Sequence, residues 1–196
     1  LQPRDEAGQR VLSFRLTLDP HTPFGMVADR FGNAVHCYSV LPPHRRQIIT
    51  AHSLVDTGAS ALLPEPALGL LQEYEFRAPS TYANQSDELA AFARAHLPEG
   101  GDDEAIANAL MRAIVASCTY EPGSTNISTA ADAVLAGRRG VCQDFAHLMI
   151  ALCRSQSLPA RYVSGYFHDP AQPEDAILAS HAWAEIHVNH LGWVGF

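Results

Sequence analysis

Gly140-Val141-Cys142-Gln143-Asp144-Phe145-Ala146-His147 is the stretch on which the reading of this chain turns. From Val141 to Ser155, Phe145, Leu148, Met149 and Leu152 recur at i, i+3, i+4 and i+7, the spacing of one buried helical stripe. Gly140 frees the backbone just before that helix, so Cys142 falls in its first turn. The start of a helix presents unpaired N–H groups and about half a positive charge, which favours thiolate over thiol. The same N–H groups can receive the oxyanion formed when a thiolate attacks a carbonyl. Free cysteines are usually small buried hydrophobes, and Cys37, Cys118 and Cys153 fit that description. Cys142 fits it poorly, because the polar pair Gln143-Asp144 follows it at a glycine-led helix start.

A thiol nucleophile needs a base. Ser180 to Val188 alternates cleanly, with Ala182, Ala184, Ile186 and Val188 on one face and His181, Trp183, Glu185 and His187 on the other. This pattern predicts a strand with one packed face, a turn over Asn189 to Gly192, and an antiparallel return from Trp193 to Phe196. His181 is the candidate base. His147 lies five residues beyond Cys142, and at about 100° per residue it points away from the thiol. Glu185 shares the face of His181 but stands about 13 Å along the strand, too far to orient that imidazole. His187 and His190 raise the question of a metal, yet no HxH, HExxH or Cys/His cluster with ligand spacing occurs, so no metal site is expected.

The first third of the chain reads as β. Strands are predicted over 11–18, with Leu12, Phe14, Leu16 and Leu18 inward, over 34–41, and over 47–55, with turn chemistry at Asp29-Arg30-Phe31-Gly32-Asn33. Short strands joined by local turns suggest an antiparallel unit. From about residue 59 the pattern turns helical. Pro64 and Pro66 open a short helix through Tyr74, Ser86 caps one to about His96, and Asp102 to Glu104 begins a longer one. That longer helix carries Ile106, Leu110, Ile114 and Val115 on one stripe. Tyr120 to Ser128 reads as a loop, and Thr129 caps a short helix ending near Gly137. The domain boundary is placed at 58/59, with an N-terminal β domain over 1–58 and the core over 59–196.

Composition narrows the function classes. A hydrophobic fraction of 47% with 17% charged residues is that of a globular protein. Net charge is −8 and lysine is absent, so the clustered cations of a nucleic-acid footprint are missing. No stretch approaches the roughly 18 apolar residues of a membrane span. Four cysteines without a CxxC pair favour a reducing, cytoplasmic setting over a disulfide scaffold.

Three motifs in order carry a family resemblance: Gly140 to His147, Pro159-Ala160-Arg161-Tyr162-Val163-Ser164-Gly165-Tyr166, and His181-Ala182-Trp183-Ala184-Glu185. With Tyr120 to Thr125 and the run from Thr129 to Gly140, they look like the bacterial transglutaminase-like superfamily. The segment from Asp29 to Val55 resembles the small β domain that precedes the core in many bacterial members. The resemblance implies an α+β fold with a papain-like cysteine-proteinase core behind an antiparallel β domain. It implies a Cys-His-Asp triad, with Cys142 as nucleophile and His181 as base. The aspartate should follow Gly192-Trp193-Val194-Gly195-Phe196 directly, so the chain is expected to be a trimmed piece of a longer protein. Tyr120, Gln143 and Trp183 are candidate oxyanion or cleft residues; Tyr120 and Trp183 could equally serve packing. Asp144 assists the helix start through its dipole, and Arg161 is expected to pin a loop.

The implied reaction is acyl transfer from an amide or peptide carbonyl through a thioester, most simply as a protease or amidase acting on a protein or peptide. Transfer to an amine, which would crosslink glutamine side chains, is the alternative, and a non-catalytic binding module is the second. No cofactor is implied, and the calcium sites of animal relatives have no visible counterpart.

Overall fold

The computed structural model describes residues 1–5, 8–41, 43–58, 67–166 and 180–196. The chain divides into two compact units, Leu1–Leu63 and Pro64–Phe196. The boundary expected at 58/59 adjoins residues 59–66, which lie outside the described residues.

The first unit holds β1 (Arg10–Asp19), β2 (Phe24–Ala28), β3 (Ala34–Tyr38) and β4 (Ile48–Asp56). β1 pairs antiparallel with β4, and β2 with β3. β2 was not expected, because Phe24-Gly25-Met26-Val27-Ala28 has no alternation and all five residues are exposed. The turn after it explains its existence. Asp29 accepts from the Phe31 and Asn33 amides, both at 2.8 Å, and from the Asn33 side chain at 2.9 Å. These bonds, led by the one from the Asn33 side chain, hold the Asp29 carboxyl below the usual range. Within this turn Gly32 takes the left-handed region, at φ 78°. Leu12 corrects a second expectation. The register slips between Val11 and Ser13, leaving Leu12 as the extra residue of a bulge, exposed instead of inward.

The second unit contains α1 (Leu70–Arg77), α2 (Asp87–Ala95), α3 (Asp103–Ser117), β5 (Thr119–Tyr120), α4 (Ala131–Gly137), β6 (Arg139–Gly140), α5 (Cys142–Ser155), β7 (Ala160–Tyr166), β8 (Ser180–Val188) and β9 (Gly192–Gly195). The prolines expected to open the first helix lie outside the described residues; α1 begins after Gly69. Ser86 Oγ accepts from the Leu89 amide, and Asp102 accepts from that of Ala105, so both predicted helix starts are built by side-chain caps. Thr129 does not cap α4. Its hydroxyl accepts from the Asn126 amide within the preceding loop, and Ala130 takes the cap position. On α3 the buried stripe is Ala107, Leu110, Ala113 and Ile114, while Val115 turns outward at 75% exposed. A 3.6-residue period separates neighbours Ile114 and Val115 by about 100°, enough to carry the second into solvent.

α5 runs through the middle of this unit. β8 and β7 pack against it, as do α2, α3 and α4. Leu148, Ile150, Leu152 and Cys153 are at most 1% exposed. β8 turns Ala182, Ala184, Ile186 and Val188 inward, and the two alanines admit the helix at close range. Strands β7, β8 and β9 form one antiparallel sheet. On its other face Arg161 bridges to Glu185 at 2.6 Å and lies over the Trp193 ring at 4.2 Å. Arg161 therefore pins strand to strand, where the sequence suggested a loop. Arg154 ties the far end of α5 to the Ala78 and Ala160 carbonyls, at 2.6 and 2.7 Å. Among the described residues no helix is long and apolar enough to cross a membrane.

If α5 is the axis of the core, Leu148→Ala should cost about 2–5 kcal/mol of folding stability in chemical denaturation. A loss below about 1 kcal/mol would contradict that placement.

Candidate active site

The site is assembled from the turn that leaves α4. Arg138 ends that helix in the left-handed region, at φ 54°, and sends the chain into β6. β6 pairs parallel with β5, setting Thr119 opposite Arg139 and Tyr120 opposite Gly140. The Glu121 amide donates to the Gly140 carbonyl at 2.9 Å. Tyr120 is thereby delivered beside the entry to α5. It is 59% exposed and meets Phe145 edge-on at 6.2 Å.

Gly140 is required for a reason the sequence did not reveal. Its φ is not positive; the constraint is proximity. A Cβ there would lie 2.7 Å from Asp144 Cβ and 2.9 Å from Oδ2. Asp144 is wholly buried, and its Oδ2 accepts from the Val141 amide at 2.8 Å and from the Thr125 hydroxyl at 2.5 Å. Among the described residues Oδ1 has no hydrogen-bond partner. The dipole role expected for Asp144 is thus joined by a clamp on the loop through Thr125.

Cys142 is the first residue of α5 and half-buried, with Gln143 next to it, also half-buried. Val141 occupies the N-cap and has no side-chain oxygen to offer the first-turn amides. A helix start without a side-chain cap is an anion-ready mouth, and Cys142 stands in it. The other three cysteines are free as well. Cys153 is fully buried, which raises its pKa far above the ordinary thiol value. Burial also raises that of Cys118, against the field of Arg138. Cys37 departs from expectation: it is exposed, because it falls on the outward side of β3.

His147 was expected to point away from the thiol. Its ring stacks on Tyr162 at 4.8 Å and 17°, with Tyr82 at 5.4 Å. Burial, and secondarily Arg154, lower its pKa, while Asp144 pulls the other way. Tyr162 was not singled out by sequence. Its pKa is raised by burial first, then by the charges of Cys142 and Asp144, so it stands in the field of both. Strand alternation could have found it, since Tyr162 shares the α5-facing side of β7 with Ala160.

His181 is the second residue of β8, opposite Gly165, and half-buried. It shares a face with Trp183 and Glu185, the face opposite the alanines that pack on α5. Trp183 rests on glycines of both neighbouring strands. A Cβ at Gly165 would stand 2.7 Å from its ring, and one at Gly195 would stand 3.6 Å from it. Its ring thus reaches the residue paired with His181. Among the described residues no group of His, Cys, Asp and Glu could hold a metal ion.

Comparison with known proteins fits this arrangement. Residues 90–196 match the transglutaminase-like superfamily, and residues 1–56 match the bacterial transglutaminase-like N-terminal region. The chain belongs to the transglutaminase-like superfamily. The uncharacterized protein Rv2569c of Mycobacterium tuberculosis is 35% identical over 95% of this chain and 65% of its own length. The uncharacterized protein ML0607 of Mycobacterium leprae is 28% identical over 94% of this chain and 70% of its own. The chain thus spans 65% of the length of the first of these relatives. The crystal structure of a "putative cysteine protease" from Cytophaga hutchinsonii superposes with a TM-score of 0.79 at 28% identity, over all of this chain and 68% of that one. The periplasmic domain of TgpA from Pseudomonas aeruginosa shares the fold, with a TM-score of 0.57 at 20% identity over 76% of this chain and 53% of that one. The architecture is the transglutaminase-like, papain-like α+β core preceded by small antiparallel sheets.

Two outcomes follow from the helix start. Gly140→Ala drives a methyl into Asp144 and should destabilise the protein by about 1–3 kcal/mol, read by denaturation. His147 has a lowered folded pKa, so the unfolded chain binds more protons just below the ordinary histidine value of about 6.5. Stability from His147 is full above that value and is lost as pH falls through the folded pKa. The melting temperature should drop between pH 7.5 and pH 5.5, and the drop should shrink in His147→Phe.

Proposed function

We propose that this protein is a cysteine-dependent acyl-transfer enzyme acting on amide or peptide carbonyls, working as a protease or amidase. The observation that carries the reading is Cys142 at the first position of an α5 whose N-cap provides no side-chain acceptor. In the proposed cycle His181 takes the thiol proton and the Cys142 sulfur attacks the carbonyl carbon. First-turn amides, with Tyr120 and Gln143 as further candidates, receive the oxyanion. The C–N bond then breaks, His181 returns the proton to the leaving amine, and a thioester remains on Cys142. Water attacks the thioester, releasing the acid and restoring the thiol; an amine in its place yields a new amide.

Sheet register supports a place for the third triad member. Phe196 exchanges backbone bonds with Ala184, at 2.9 and 3.4 Å. A chain continuing in that register would set its next residue opposite Trp183, on the face that carries His181. It would be a diagonal neighbour of His181, about 7–8 Å away between backbones and closer between side chains. That is where the family resemblance expects the aspartate.

The deciding experiment incubates the full-length parent protein with glutamine-containing peptides, with and without a primary amine. Peptide cleavage or deamidation should appear without amine and fall about 10³-fold or more in Cys142→Ala and in His181→Ala. Turnover that survives in Cys142→Ala would overturn the proposal. Product only when amine is supplied would assign the chemistry to transfer, and saturable peptide binding with no covalent change would assign it to a binding module.

A further inference from the structure

Thr125 has no part in the proposed cycle, yet its hydroxyl is committed to the first turn of α5. It donates to Asp144 Oδ2 at 2.5 Å, and the Val141 amide donates to the same oxygen at 2.8 Å. Among the described residues Oδ1 has no partner, so these two bonds are what compensates a wholly buried carboxylate. One comes from the helix start itself. The other arrives from a side chain nineteen positions earlier.

The loop around Thr125 holds that hydroxyl in place from both flanks. The Ser124 hydroxyl donates to the Glu121 carbonyl at 2.7 Å, and the Glu121 amide donates to the Gly140 carbonyl at 2.9 Å. On the other flank the Asn126 amide donates to the Thr129 hydroxyl at 3.1 Å. Thr125 itself is half-buried.

The direction of the carboxylate matters to Cys142. Asp144 stands at the third position of α5 and Cys142 at the first. Oδ2 turns back to the amide of the N-cap residue Val141, not to an amide of the first turn. The carboxylate thus leaves the helix mouth to Cys142. Its field still reaches His147 and Tyr162. A carboxylate deprived of a donor presents more of its charge to its neighbours, and a like charge nearby disfavours a thiolate.

Resting on the reading of Cys142 as nucleophile, we propose that Thr125 is a positioning residue for it: its hydroxyl holds the Asp144 carboxylate on the Val141 amide and draws off its charge, leaving the first-turn amides to the Cys142 sulfur. Thr125 touches no reacting atom and transfers no proton in this role.

The test is the rate of Cys142 alkylation by iodoacetamide against pH, in full-length protein carrying Cys37→Ser and Cys118→Ser; Cys153 is fully buried. The other titratable or charged groups around the helix start are His147 and Arg154 on α5, Tyr162 on β7, His181 on β8, Tyr120 on β5 and the Arg139–Glu121 pair; all stay unchanged. Thr125→Val keeps the shape and removes the hydroxyl. It should slow alkylation about 10-fold near neutral pH and move the midpoint of the profile upward. Thr125→Ser restores the donor and should return the profile to that of the parent. A role in packing alone would lower the melting temperature of Thr125→Val without moving its profile. Combining Thr125→Val with Asp144→Asn leaves no buried charge short of a donor, so the pair can be measured even where Thr125→Val alone fails to fold. Its profile should coincide with that of Asp144→Asn. An unshifted profile in Thr125→Val, an equal shift in Thr125→Ser, or a double variant that differs from Asp144→Asn would overturn the inference while leaving Cys142 as nucleophile. A parent protein whose Cys142 reacts no faster than a free thiol would instead remove the nucleophile reading, and this inference with it.

Discussion

A carboxylate shut away from water must be satisfied from within, and at Asp144 that requirement organises the entry to the central helix. Its Oδ2 gathers the Val141 amide and the Thr125 hydroxyl, and so joins the first turn of α5 to a loop nineteen positions earlier. Gly140 has to be glycine because the carboxylate lies directly over it. The strand pair β5–β6 then fixes Tyr120 beside that glycine. Four separate residues thus converge on one helix start, and Cys142 is the side chain left at its opening. Burying the charge is costly unless its hydrogen bonds are made. Among the described residues Oδ1 has no partner, so this one is only partly satisfied.

Packing supplies the rest of the geometry. α5 is enclosed on several sides, and β8 meets it through alanines whose small size brings strand and helix together. The opposite face of β8 holds the sheet together. Trp183 beds on two glycines, and Arg161 links Glu185 to the Trp193 ring. This division of faces fixes where His181 stands.

Tyr82, His147 and Tyr162 form a row of rings along one side of α5. Its imidazole is held toward neutrality by burial, and its outer phenol keeps its proton in the field of Cys142 and Asp144. Aromatic stacking fixes ring planes at little cost in side-chain freedom.

Periodicity made the central helix, strand β8 and its turn to β9 legible, because each depends on which residues are apolar at a local spacing. Cys142 at the helix start and His181 on the face opposite the alanines could be read in the same way. Caps at Ser86 and Asp102 were legible for a similar reason, since a cap is a bond within four residues. The strand β2, the bulge that expels Leu12 and the outward turn of Val115 were not, because each is settled by what the element packs or pairs against. Thr125 could not be assigned from sequence for the same cause: its partner Asp144 lies nineteen positions later on α5, and no local pattern encodes a distance closed only by folding. The sequence by itself determined the place of Cys142 at a helix start, that helix and the family. The tertiary structure decided why residue 140 must be glycine, what holds Asp144, and which rings stack on His147, because those are consequences of steric approach and burial between segments far apart in the chain.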